Sequence, residues 1–178
     1  MPCQITHLAI AKRYMEKHAG IKKPRDFYDG NVLPDLAKGK DKEKSHYGNR
    51  SEQFDLRKRH REKVNPNKFL EENKLDSDMN RGIYLHLLTD YEFYCNFADF
   101  GFEELKDFYY TTRYYREYIK DKYGVSLALT SYQQEFTDMW NVWVKHDDER
   151  WGGNYVGKLI FTLEELDDFI ERITAKPL

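Results

Sequence analysis

The sequence predicts an all-α protein of 178 residues, folded as a single compact multi-helix domain. Three observations predict it. Apolar residues recur at helical spacing, no stretch alternates apolar and polar over a strand's length between turn signals, and capping residues precede several of the apolar stripes. A content of 40% hydrophobic and 16% aromatic residues supplies a core despite 34% charge.

The elements follow in order. Thr6 to about His18 places Leu8, Ala11, Tyr14 and Met15 on one stripe, and Gly20 stops it. Pro24 opens a short helix through DFYDG, with a turn expected at Gly30-Asn31 and a restart near Pro34. The charged stretch 38–50, with Gly39 and Gly48, reads as a loop of the length that is often functional. Ser51 to about Lys63 reads as an amphipathic helix, and Pro66 opens another that runs to Asn73.

The strongest helix starts at Asp76-Ser77-Asp78, with capping residues and first-turn acid, and passes through Met79, Ile83, Leu87 and Leu88 beyond Asp90. Glu103 to Tyr123 is helical and ends at Gly124, and Ser131 to about Asp148 follows. Trp151-Gly-Gly-Asn is a loop. Thr162 with Glu165 three residues on makes a capping box for the last helix. The chain thus divides into a candidate site region over 5–97 and an aromatic helical half over 103–178.

Composition narrows the function. A net charge of -2 argues against a bulk polyanion binder. Charge is uneven, however: ten basic against five acidic residues over 38–63, and four against ten over 135–172. No apolar run approaches the roughly 18 residues of a membrane span. The opening MPCQITHLAIAKRYMEKH lacks the basic, apolar and small-residue regions of a signal peptide, and Cys3 and Cys95 cannot build a disulfide framework. The expectation is a cytoplasmic, reducing location.

His86 and Asp90, in GIYLHLLTD, lie one turn apart on the same helix face as Met79, Gly82, Phe93 and Phe97. A buried aspartate costs several kcal/mol (order of magnitude) unless it is paired or bound to a cation. Gly82 leaves room for another element to approach. The arrangement reads either as a metal-binding pair or as a hydrogen-bonded His–Asp pair inside a core. His7 sits in the first turn of the first helix, where the dipole favours the neutral imidazole that a metal needs. Asp35 follows Pro34, and His46 lies in KSHYG within the basic stretch. Each alone has an ordinary structural reading. Together, three imidazoles and two carboxylates without a thiolate suit zinc, with iron or manganese as alternatives.

Thr6-His7-Leu8-Ala9, Gly30 through Pro34-Asp35, Ser45-His46, and Gly82 through His86 to Asp90 resemble the zinc-dependent phospholipase C family of bacteria. That family belongs to the all-helical superfamily that also contains the P1-type nucleases. The resemblance covers roughly residues 5–97. It implies a phospholipase C/P1 nuclease-like fold, with residues matching Asp35, His46, His86 and Asp90 holding one zinc. It implies a second zinc shared by Asp90, His7 and the chain's N-terminal amine and carbonyl. The chain departs from the family after Asp90. Its only further histidine is His146, followed by Asp147, Asp148 and Glu149, and it begins Met-Pro. One full metal site and a weaker second site are therefore expected.

The resemblance implies hydrolysis of phosphoric esters by a metal-activated water, with Asp35 as general base beside it. A bound divalent ion lowers the pKa of water to about 7 and polarises a phosphoryl oxygen. Lys42, Lys44 and Arg50 flank His46 and are the expected substrate-phosphate ligands. The expected substrate is a phosphoester small molecule or a lipid headgroup, and the absent signal peptide favours a soluble one.

Four alternatives stand beside this reading. The first is a metal-binding helical protein whose catalysis is degenerate or lost. The second is a nucleic-acid module using RKRHREK at 57–63, disfavoured by the alternating charge around it. The third is an HD-type phosphohydrolase using His146-Asp147, which lacks flanking ligands. The fourth is an unassigned scaffold role. The aromatics Phe108, Tyr109, Tyr110, Tyr114, Tyr115, Tyr118 and Tyr123, with Trp140 and Trp143, read first as core and second as walls for a base or lipid.

Overall fold

Four neighbouring residues of the first helix, Leu8, Ala9, Ile10 and Ala11, are completely buried, so this helix is surrounded rather than laid on a surface. In the computed structural model, which describes residues 3–49, 62–97, 100–101 and 103–178, it is α1, Gln4–Lys17. Its two alanines let neighbours approach closely. It packs against α2 (Pro24–Val32), α5 (Asp78–Glu92), α6 (Leu105–Tyr123) and α8 (Leu163–Ile173). Three further α-helices are α3 (Lys40–Ser45), α4 (Pro66–Glu72) and α7 (Gln133–Trp151).

No strand occurs among the described residues. There is one isolated antiparallel bridge, between Tyr47 and Val64. The chain is all-α, as its periodicity predicts. No helix among the described residues is long and apolar enough to cross a membrane.

Most ends obey local rules. Ser77 caps α5 by accepting from the Asn80 amide at 3.1 Å. Thr162 and Glu165 form the expected capping box of α8. Gly124 closes α6 in the left-handed conformation, φ 57°.

Two local expectations are corrected. α2 does not turn at Gly30-Asn31 but runs through to Val32, followed by a 3-10 turn at Leu33–Leu36. Gly30 serves a helix crossing, because a Cβ there would lie 2.1 Å from the Met79 carbonyl oxygen on α5. The charged stretch 38–50 is not all loop, since α3 forms within it, with Asp41 and Glu43 in its first turn. Most of the helix expected over 51–63, including the run at 57–61, lies outside the described residues.

The main core extends from Cys3 to Ile173 and joins α1, α2, α5, α6, α7 and α8. Phe93 is its aromatic hub, touching Phe97, Phe108, Phe161 and Phe169 at ring separations of 5.2–6.1 Å. Within the tyrosine-rich α6, Phe108 and Tyr115 are buried in this core, while Tyr114 is 59% exposed. A smaller cluster of Val64, Phe69 and Leu87 seats α4 on α5.

Candidate metal centre

The crossing of α2 and α5, the most extensive helix pair, sets the position of His86. Gly82 has no room for a side chain, since a Cβ would lie 2.3 Å from the Phe27 carbonyl oxygen. One turn later, His86 Nδ1 lies 2.9 Å from the carbonyl oxygen of Asn31. The carbonyl can only accept, so Nδ1 carries the hydrogen and Nε2 is left to the interior. Asn31 reinforces the crossing by donating from its side-chain amide to the Gly82 carbonyl at 3.2 Å.

His46, at the end of α3, is oriented in the same way. Its Nδ1 lies 2.9 Å from the Lys42 carbonyl oxygen and 2.9 Å from Ser45 Oγ. Ser45 Oγ also donates to the carbonyl oxygen of Pro34 at 2.9 Å, tying α3 to the turn that carries Asp35. The Nε2 atoms of His46 and His86 then face each other at 3.2 Å. With each Nδ1 turned to a carbonyl oxygen, the two Nε2 atoms face each other at this distance, an arrangement that calls for a cation between them, either a proton or a metal ion.

His7 closes the first turn of α1 and stacks on His86, ring centroids 4.0 Å apart. Its Nε2 approaches Asp90 Oδ1 to 3.2 Å, while Asp90 Oδ2 lies 3.5 Å from His46 Nε2 and 3.7 Å from His86 Nε2. Asp35 Oδ1 lies 3.8 Å from His46 Nε2. All five side chains are buried. Neither ring nitrogen of His7 and neither carboxylate oxygen of Asp90 has a hydrogen-bond partner. The ligand atoms form two overlapping triads, His7–His86–Asp90 and Asp35–His46–His86, each with its atoms within 4.8 Å of one another. Unpartnered buried acceptors, two carboxylates and three imidazoles fit a borderline divalent ion.

Burial and neighbouring charge shift three of these groups. Burial, followed by the neighbouring His7, pushes the His86 pKa down to about 3, so the ring is neutral. Burial opposes ionisation of Asp35, but the Lys42 ammonium 3.0 Å away outweighs it and holds the carboxyl below the usual range. Asp90 is likewise lowered, any proton shared among the facing His86, His46 and His7 overcoming the penalty of burial.

Of the expected phosphate ligands, Lys42 reaches the site, with Nζ 3.0 Å from Asp35 Oδ1. Lys44 instead forms an exposed pair with Asp41. Arg50 lies outside the described residues. Asp35 and His46 form part of the wall of a cavity of about 440 Å³, which also has Lys42, Tyr94, Phe108, Tyr109, Trp140 and Trp143 on its surface. Some α6 and α7 aromatics thus act as wall as well as core.

Sequence reasoning missed the supporting residues. The Asn31 carbonyl orients His86, and Gln4 Nε2 donates to Asp35 Oδ2 at 3.2 Å. A backbone acceptor leaves no trace in residue type, whereas a buried Asn beside a glycine is a weak signal. His146 projects into solvent, and among the described residues neither it nor Asp147 belongs to a metal-capable cluster.

Fold and site together describe an all-α protein with a buried His–Asp cluster at the edge of an aromatic cavity. No protein-family model matches the chain, and no curated protein or solved structure matches it significantly.

Proposed function

We propose that the chain is a zinc-dependent hydrolase of small phosphoric esters. The observation that carries this reading is the facing of His46 Nε2 and His86 Nε2 at 3.2 Å, with both Nδ1 atoms turned to carbonyls and two carboxylates alongside. Asp35, His46, His86 and Asp90 form the fuller ligand set. His7 and Asp90 offer a second, poorer one. A bound ion would supply an activated water and polarise a phosphoryl oxygen.

Asp35 lies on the cavity surface and is held anionic. It is therefore the residue able to orient the attacking water and accept its proton. Lys42 supplies positive charge at the same surface. A cavity of about 440 Å³ lies within the range that encloses a small organic ligand, and its aromatic wall suits an apolar or planar substituent on the phosphate.

The second reading, a metal-binding protein without efficient turnover, draws on His146, which is 67% exposed and leaves the cavity without a further histidine from α7. Turnover of a chromogenic bis-aryl phosphate with added zinc or manganese separates the two. A metal-dependent rate lost in Asp35→Asn supports the hydrolase. Bound metal with no rate above buffer selects the second reading.

A further inference from the structure

Lys42 does two things at once. Its backbone carbonyl oxygen accepts from His46 Nδ1 and from the His46 amide, with Ser45 Oγ 2.9 Å away, so its main chain is part of the scaffold of the candidate site. Its side chain returns to the same site and places an ammonium 3.0 Å from Asp35 Oδ1. That oxygen is also the Asp35 atom nearest His46, 3.8 Å from Nε2. The ammonium therefore neutralises the oxygen that a metal ion between His46 and Asp35 would need.

A divalent cation and an ammonium on one carboxylate oxygen repel each other, and burial weakens the screening between them. The other Asp35 oxygen is already engaged by Gln4. The backbone of Lys42 is held by bonds that do not involve its side chain. The ammonium can therefore leave Asp35 without disturbing His46. Its side chain is 36% exposed and borders the cavity, so that is where it can turn.

We infer that Lys42 is a placeholder cation: it occupies Asp35 while the site lacks metal, and metal loading displaces it into the cavity, where it takes an anionic phosphate group. This rests on the metal-centre reading above. It adds a coupling which that reading does not require. Metal and phosphate should reinforce each other's binding, and reciprocity demands the same factor in both directions.

The test is a zinc titration of the full chain against a chromophoric chelator, with and without sub-millimolar inorganic phosphate, in the parent, Lys42→Met and the surface control Lys23→Met. Phosphate should tighten zinc binding to the parent and to Lys23→Met by about fivefold or more, the lower end of ordinary coupling. Without phosphate, Lys42→Met should bind zinc more tightly than the parent, and phosphate should add less. Weaker or equal zinc binding in folded Lys42→Met would overturn the inference. So would a parent indifferent to phosphate, a result that needs no variant to fold. Absence of zinc binding in every protein would instead remove the metal-centre reading itself, and the placeholder with it.

Discussion

Gly82 of α5 meets the backbone of α2 beside Gly30, with so little space that a single added carbon would lie 2.8 Å from the Asn31 amide nitrogen and 3.1 Å from the Gly30 carbonyl carbon. The same crossing delivers the Asn31 carbonyl to His86. Packing and ligand orientation therefore have one origin. Gly82→Ala should destabilise the fold by about 1–3 kcal/mol, because overpacking outweighs the gain in helix propensity. Urea unfolding measures the loss. Zinc affinity should fall with it, since separating the helices removes the acceptor that fixes the His86 ring.

Ser45 offers a gentler perturbation. Its hydroxyl joins the Asp35-bearing turn to the helix that ends at His46. Ser45→Ala should cost about 1 kcal/mol of stability, the worth of an ordinary hydrogen bond. Its effect on zinc should be larger in proportion, a loss of about tenfold in affinity, as for other groups that orient metal ligands. Calorimetric titration beside a thermal melt separates the two effects.

Acid should loosen the attachment of α1 to α8. Glu171 accepts from Arg13 at 2.6 Å and pairs with Lys17 at 2.8 Å, and these bonds lower its pKa from 4.5 to about 2. A carboxylate depressed in the folded state contributes stability above its unfolded pKa. That contribution fades as pH falls from about 4.5 toward 2. Glu171 is 45% exposed, so solvent screening keeps the effect modest. Glu171→Gln should flatten this part of the parent's stability curve and leave the region above pH 5 nearly parallel to it. Melting temperatures from about pH 2 to 7 test this.

Much of the fold was legible because local rules and tertiary packing agree. Ser77 and Thr162 cap their helices where their sequence positions suggest, and Gly124 ends α6. The misreadings share a cause. Gly30 has two uses, breaking a helix or letting another cross it, and only the neighbouring α5 decides between them. In α3, six residues rich in charge carry little periodicity, and their helix is anchored by Ser45 and by the bonds to the Lys42 carbonyl.

At the candidate site, the H-x-x-x-D spacing announced His86 and Asp90, and the short motifs pointed to His7, Asp35 and His46. The meeting of all five is a tertiary fact. So is the difference between Lys42, which turns inward to Asp35, and Lys44, two residues on, which points outward to Asp41. No single-residue signal distinguishes these lysines. Helical phase about α3 does.

We propose that His7, Asp35, His46, His86 and Asp90, buried side chains from four elements, hold a cation within their two overlapping triads. Elemental mass spectrometry of the purified chain, beside Asp90→Ala, tests it most directly. Close to one transition-metal ion per parent chain, chiefly zinc, is the expected result, with little in the variant. A parent free of metal after exposure to zinc, or a variant that retains the full amount, would contradict it.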